Sequence, residues 1–322
     1  MILSESQEKR SIRNQYGQYL AYLGEINENV VVLDADLSCS TQTCQFAKKY
    51  PERFFNIGIA EQDLVTTAVG LSLTGKIPFV SSFAMFLTGR AWEQIRNSVC
   101  YQNANVKLIS THAGVTVGED GASHQALEDI SIMRSIPNMM VIIPADCCEL
   151  KFALDFALEY NGPIYIRIPR SNVYDIFDDS SYKFKPYAGV KIKDGKDVSI
   201  FSNGETLKSI IDCAKILKDN GIDAEIIHLP FVKPIDQEII IDSVKKTKYA
   251  VTVENHSIIG GLGSAVAEVT SERYPVKVLR IGMQDQFGQS AEQSKLLDYY
   301  GLTAKKIAYK IMESLKNNDK VN

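Results

Sequence analysis

Two short segments hold most of the side chains with chemical reach. The denser one is Thr111-His112-Ala113-Gly114-Val115-Thr116-Val117-Gly118-Glu119-Asp120-Gly121-Ala122-Ser123-His124-Gln125. It carries two of the chain's four histidines, an adjacent acidic pair and three glycines. Histidine and aspartate can move protons or hydrogen-bond hydroxyl groups, and glycines let a backbone come close to a ligand. A metal site is a weak reading of the same residues, because the histidines lie twelve apart with no clear third ligand. The second segment is Asn56-Ile57-Gly58-Ile59-Ala60-Glu61-Gln62-Asp63, which leads into an apolar helical pattern. A carboxylate at a strand-to-helix junction stands where open α/β sheets place ligands. Glu61 also suits the first turn of a helix, where a negative charge meets the positive end of the macrodipole. From the pattern alone that structural role is preferred.

These segments need a frame, and the apolar periodicity supplies one. Helical and strand patterns alternate from residue 8 onwards. A helix is expected over 8–26, a buried β-branched strand over 29–34, a helix over 60–74 and a strand over 77–83. A helix over 87–102, a strand over 106–112 and strands at 139–143 and 163–168 with a helix between them complete the series. Such alternation predicts a parallel sheet covered by helices on both faces. Residues 171–187, with Asp178-Asp179 and Ser180-Ser181, have the polar composition of a linker. Beyond it the alternation resumes, with strands near 198–201, 224–227, 250–253 and 276–280. A helix is expected near 205–219, another opens at Gly260-Gly261-Leu262-Gly263, and two helices close the chain. The expectation is two α/β domains, each with a mainly parallel sheet flanked by helices, over residues 1–185 (including a linker at 171–185) and 186–322.

The loop around His112 resembles the transketolase pattern in which Thr-His is followed by Gly-Glu-Asp-Gly and a second His. The segment around Glu61 is similar to that family's glutamate segment in kind and in distance from the loop. The resemblance implies a pyrimidine-binding domain followed by a transketolase C-terminal domain, with thiamine diphosphate as the cofactor. It also implies a set of roles. Glu61 would promote the imino tautomer of the aminopyrimidine, which helps the thiazolium carbon lose its proton. Phe83 and Phe86 would form the apolar wall against that ring, although both also read as plain core aromatics. Arg13, Asp36 and Ser40 fall at the spacing of an arginine, an aspartate and a serine of transketolases. Asp36 belongs with the cofactor contacts, and Arg13 and Ser40 match contacts to the phosphate end of the substrate. Arg170 matches an arginine that grips the substrate phosphate, where a guanidinium binds in bidentate fashion. A surface ion pair would account for Arg170 as well, and a helix N-cap for Ser40. His112, Asp120 and His124 would contact the hydroxyls and carbonyl of a ketose. The catalytic set is Glu61, His112 and His124.

The sequence also departs from the family. Transketolases carry an aromatic residue three positions after the second phenylalanine, where this chain has Gly89. Residues 231–236, Phe-Val-Lys-Pro-Ile-Asp, look closer to deoxyxylulose-phosphate synthases and to beta subunits of 2-oxo acid decarboxylases. Those relatives normally lack a histidine at the place of His112, which keeps transketolase ahead. The Gly-Asp-Gly that anchors a magnesium-bound diphosphate is absent. The resemblance therefore implies a subunit that works with a partner carrying the diphosphate-binding domain and its Mg2+, as a heterotetramer of two plus two. The reaction would move a two-carbon ketol unit from a ketose phosphate to an aldose. The rivals are a decarboxylase beta subunit, a deoxyxylulose-phosphate-synthase-like enzyme and a non-catalytic assembly subunit.

Bulk properties narrow the field further. Lys plus Arg number 35 against 39 Asp plus Glu, a formal charge of −4, so no basic face for nucleic acid or an anionic membrane is expected. No apolar run is long enough to span a bilayer, and residues 1–10 lack a signal-like apolar region. Cysteines 39, 44, 100, 147, 148 and 213 show no CxxC spacing and read as reduced thiols of a cytoplasmic protein.

Overall fold

The computed structural model describes Ser4 and residues 8–318. The rest of the N-terminal stretch, expected to lack a signal region, lies outside the described residues. Six parallel strands form the first sheet, in the order Met140–Ile142, Ile164–Pro169, Lys107–Ala113, Ile77–Phe83, Val30–Asp34 and Phe54–Asn56. The central strands are buried along their length, which their β-branched and aromatic composition permits only where both sheet faces are covered. One face packs against helices Ile12–Ile26 and Cys147–Glu159, through Tyr16, Leu20, Leu150 and Leu154. The other packs against Glu61–Leu73, Asp129–Arg134 and the helical stretch from 85 to 100, through Leu64, Leu87, Ile95 and Met133.

The second sheet has the order Lys277–Met283, Tyr249–Ser257, Val198–Ser202, Ala224–His228 and Val190–Lys193, with only the last strand antiparallel. Helices Thr206–Asp219 and Ala304–Asn318 cover one face, Gln237–Thr247 and Leu262–Arg273 the other. Two mainly parallel sheets flanked by helices are thus present.

Several features were not visible as periodicity. The expected helix over 8–26 begins at Ile12, and Lys9–Ser11 instead pairs antiparallel with Asn172–Tyr174. Ser11 ends that strand and caps the helix, its Oγ accepting from the Asn14 amide at 3.2 Å. The polar stretch after Arg170 is strapped down: Ile176, Phe177 and Tyr182 are buried. Asp146 explains why. One of its oxygens caps Cys147–Glu159 by accepting from the Glu149 amide at 2.8 Å. The other accepts from the amides of Ile176 and Phe177 at 2.8 and 2.7 Å.

The two halves are also joined by buried polar pairs. Phe231–Lys233 leaves the second half and pairs antiparallel with Met140–Ile142 at the edge of the first sheet. Beside it, fully buried His228 meets Glu149 at 2.8 Å, and Glu149 accepts in addition from the Tyr182 hydroxyl and the Ala145 amide. Arg167 pairs with buried Asp129 at 2.7 Å and donates across to the Asn255 carbonyl at 2.9 Å. Removing one partner of such a pair would strand a buried charge, so the halves are expected to hold one arrangement. Among the described residues no helix is long and apolar enough to cross a membrane.

Candidate functional site

The chemically active residues converge at the C-terminal ends of the parallel strands of the first sheet, as open α/β architecture dictates. Glu61 opens its helix and is 1% exposed. A carboxylate so buried needs a counter-charge, and Arg90 supplies one, with Nη1 2.7 Å from Glu61 Oε2. Arg90 was not anticipated. It lies in residues Met85–Arg90, which with Ile95–Cys100 wind as π-helix rather than the α-helix expected over 87–102. This wider turn recurs at functional sites and here sets the Arg90 guanidinium over the Phe86 ring, 5.1 Å from its centre. The only sequence cue was an arginine four residues after Phe86. Gly89, where transketolases carry an aromatic residue, is covered by Met85: a Cβ there would lie 3.1 Å from the Met85 methyl.

Phe83 ends its strand and Phe86 follows in the next turn. Their rings are 5.9 Å apart and 18° from parallel. Phe83 also stacks on the His112 imidazole at 3.7 Å, and Phe86 meets the edge of His124 at 5.2 Å and 74°. The two phenylalanines therefore connect the Glu61 group to the histidine loop in one continuous wall. Glu61 Oε1 accepts from none of the described residues, which leaves an acceptor next to the Arg90 guanidinium that lies over the Phe86 ring. A carboxylate acceptor flanked by aromatic rings fits a flat, amine-bearing aromatic ring such as a pyrimidine.

His112 sits at the end of strand Lys107–Ala113 in a left-handed conformation, φ 58°. That strained backbone turns the imidazole onto Phe83 while Nδ1 meets Thr111 Oγ1 at 2.8 Å. Burial pushes its pKa from 6.5 down to about 3, and the positive charges of Arg13, Arg170 and His124 add to the shift. The ring is thus neutral at physiological pH. Because the unfolded ring binds a proton near 6.5 and the folded ring does not, this group's contribution to stability is complete above pH 6.5. It is lost as pH falls from there towards about 3. An NMR titration should show the His112 ring signals unmoved between about pH 8 and about pH 5, well past the ordinary histidine midpoint. A midpoint near 6.5 would contradict the burial of this ring.

The second half of the site is cationic. Arg13, in helix Ile12–Ile26, donates from Nη1 to the Ser40 carbonyl at 2.7 Å and from Nε to the Arg170 carbonyl at 3.3 Å. Arg170 donates to the Val117 carbonyl at 2.6 Å. Burial and the like charge of Arg170 lower the Arg13 pKa, which places two guanidinium groups in one field. Both line a cavity of about 760 Å³ with Lys9, Thr116, Ser171 and Glu205, between the two halves of the chain. Ser40 lies inside the short helix Ser38–Thr41, whose N-cap is Leu37, and meets Arg13 through its carbonyl. Two expected residues stand apart from these contacts. Asp36, also at positive φ, exchanges hydrogen bonds with Asn56 and is exposed. Asp120 is exposed at the end of the turn Val115–Asp120 and makes no side-chain hydrogen bond among the described residues.

Comparison with known proteins identifies the family. The transketolase pyrimidine-binding domain model matches residues 8–175 and the transketolase C-terminal domain model residues 187–307. The chain is 53% identical over 310 residues to a putative transketolase C-terminal section from Methanocaldococcus jannaschii, covering 95% of this chain and 97% of that one. It is 37% identical over 300 residues to the 6-deoxy-6-sulfo-D-fructose transketolase subunit SqwH of a Clostridium species, covering 93% of each. A solved structure described as a split-gene transketolase, an inactive beta4 tetramer, superposes with a TM-score of 0.87 at 47% identity. That match covers 96% of this chain and 99% of the other. The chain belongs to the transketolase family, as a subunit that carries its pyrimidine-binding and C-terminal domains.

Proposed function

We propose that this subunit supplies the pyrimidine-facing and sugar-facing half of a thiamine-diphosphate site, and that a partner chain supplies the diphosphate-binding half with its Mg2+. The assembled enzyme, with two copies of each chain, moves a two-carbon ketol unit between phosphorylated sugars in the cytoplasm. The observation that carries this reading is the aromatic wall in which Phe83 stacks on His112 at 3.7 Å and lies 5.9 Å from the Phe86 ring. It joins a buried carboxylate to a neutral imidazole and leads on to two arginines. When bound, the cofactor supplies the nucleophilic carbon that cleaves the ketose. The chain's own groups do the rest: Glu61 holds or moves a proton at the pyrimidine, and Phe83 and Phe86 stack against it. His112 and His124 hydrogen-bond the sugar's oxygens, assisted by Asp120, while Arg13, Arg170 and Ser40 form the phosphate end and Asp36 flanks the cofactor. A split near residue 185 assigns the cofactor half to residues 1–185 and the supporting half to 186–322.

Two further facts support a partner at this face. Ile59, two residues before Glu61, is 77% exposed, and Trp92, just after Arg90, is 38% exposed. These two exposed apolar side chains beside a polar site are consistent with a surface that another chain covers.

The test is substitution at the sugar end in the reconstituted complex. Arg170→Ala and His124→Ala should lower kcat/KM for a phosphorylated ketose by about ten- to hundredfold, the value of one charge-assisted contact. The non-phosphorylated ketose should suffer far less from Arg170→Ala, and cofactor binding should be retained in both variants. Equal losses on both ketoses for Arg170→Ala would remove phosphate recognition from this end of the site.

A further inference from the structure

The loop after His112 is held from the other half of the chain. The Val115 amide donates to Asn255 Oδ1 at 3.0 Å, although 140 residues separate them. Asn255 is 3% exposed and lies on strand Tyr249–Ser257 of the second sheet. Its Nδ2 donates to Glu205 Oε1 at 2.6 Å and to Thr116 Oγ1 at 3.2 Å. Glu205 precedes helix Thr206–Asp219. Its Oε1 also accepts from the Thr116 hydroxyl at 2.8 Å, and its Oε2 from the Ser171 hydroxyl at 2.5 Å. One carboxylate thus grips both the loop that follows His112 and the residue that follows Arg170. The approach is tight: a Cβ on Gly114, which has φ 75°, would lie 2.4 Å from Asn255 Nδ2. Gln125 adds a parallel strap, donating to the carbonyls of Val115 and of Gln289.

The clamp fixes the strand end at His112, which has φ 58°, relative to the segment that carries Arg170. At Asn255 and Glu205 every side-chain oxygen and nitrogen has a partner, and a polar network paired in this way specifies one arrangement. We infer that Glu205 and Asn255 are positioning residues, through which the C-terminal domain sets the placement of His112 relative to Arg170. Sugar handling depends on that placement, and this consequence rests on the proposed function. Neither residue hydrogen-bonds Glu61 or Arg90, and the clamp reaches the pyrimidine end only through the stack of His112 on Phe83, so its loss should fall mainly on sugar handling.

Hydrogen exchange on the full chain tests the clamp directly. In Asn255→Ala and Glu205→Ala, amides of residues 114–118 should exchange about ten- to hundredfold faster, the loss of one buried bond to a charged or amide group. Protection of strands Val30–Asp34 and Val198–Ser202 should stay at the level of the unsubstituted chain. Asn255→Asp alone sets two carboxylates against each other and should loosen the loop as well. The pair Asn255→Asp with Glu205→Gln reverses donor and acceptor and should restore protection. In the reconstituted complex, Glu205→Ala should raise KM for the phosphorylated ketose about tenfold or more while exchange of the thiazolium proton keeps its rate. Uniform loss of protection across both sheets, or failure of the swapped pair to restore the loop, would overturn the inference. If the unsubstituted complex transferred no ketol group, the proposed function would fall while the exchange measurement still decided the clamp.

Discussion

Replacing Glu61 by glutamine is expected to slow exchange of the thiazolium proton in the assembled enzyme by about 10²–10⁴, the range a positioned general acid or base contributes. The same substitution should barely alter the melting temperature. Two features of the site separate these effects. Glutamine keeps the size and helix context of Glu61 but cannot take up or release a proton at the pyrimidine. The ion pair that is lost is lopsided: Glu61 is buried, but the Arg90 side chain is 50% exposed, so a freed guanidinium turns to water at little cost. A first-turn carboxylate that merely complements the helix dipole would show the opposite profile. Its replacement would cost a few tenths of a kcal/mol to about one in stability and nothing in proton exchange. Proton exchange followed by NMR, with calorimetric melting on the same samples, reads both quantities. A near-normal exchange rate, with at most a small fall in melting temperature, would make Glu61 a structural residue.

The sequence was most informative where chemistry and periodicity coincide. The strand over 77–83 was placed to the residue, because a β-branched and aromatic run between a Gly-Lys turn and an Ala-Met start leaves little choice. The loop from Thr111 to Gln125 was legible because glycines, histidines and acids rarely crowd together in a solvated turn. What escaped was set by tertiary contact. The π-helical winding of Met85–Arg90 leaves no mark on a 3.6-residue pattern, so the approach of Arg90 to Glu61 could not be read. Lys9–Ser11 is a strand only because Asn172–Tyr174 lies beside it, more than 160 residues later. Glu205 and Asn255 carry no local motif at all. Their importance comes from which loop they meet, and that is decided by the docking of two sheets.

The second large effect concerns the chain by itself. Without a partner it should fold, bind thiamine diphosphate and Mg2+ negligibly, and transfer no ketol group; adding the partner chain should restore both. The physical reason is that the described groups address one end of the cofactor. Stacking on Phe83 and Phe86 and one hydrogen bond to Glu61 must outweigh the loss of translational and rotational freedom on binding, which costs about 4–15 kcal/mol. An aromatic contact contributes about 0.5–1.5 kcal/mol beyond its area, and a hydrogen bond to a charged group about 1.5–3. Those gains, about 2.5–6 kcal/mol beyond area burial, fall short of most of that range without the anchored diphosphate. Arg90 raises the cost further, since it already occupies Glu61 Oε2 and would have to share that carboxylate with the pyrimidine. Isothermal calorimetry on the lone chain should therefore register no magnesium-dependent cofactor heat, and titration of the partner should bring binding and turnover together. Tight cofactor binding to the lone chain would mean that a diphosphate anchor exists within these residues, and the division of the active site between two chains would have to be abandoned.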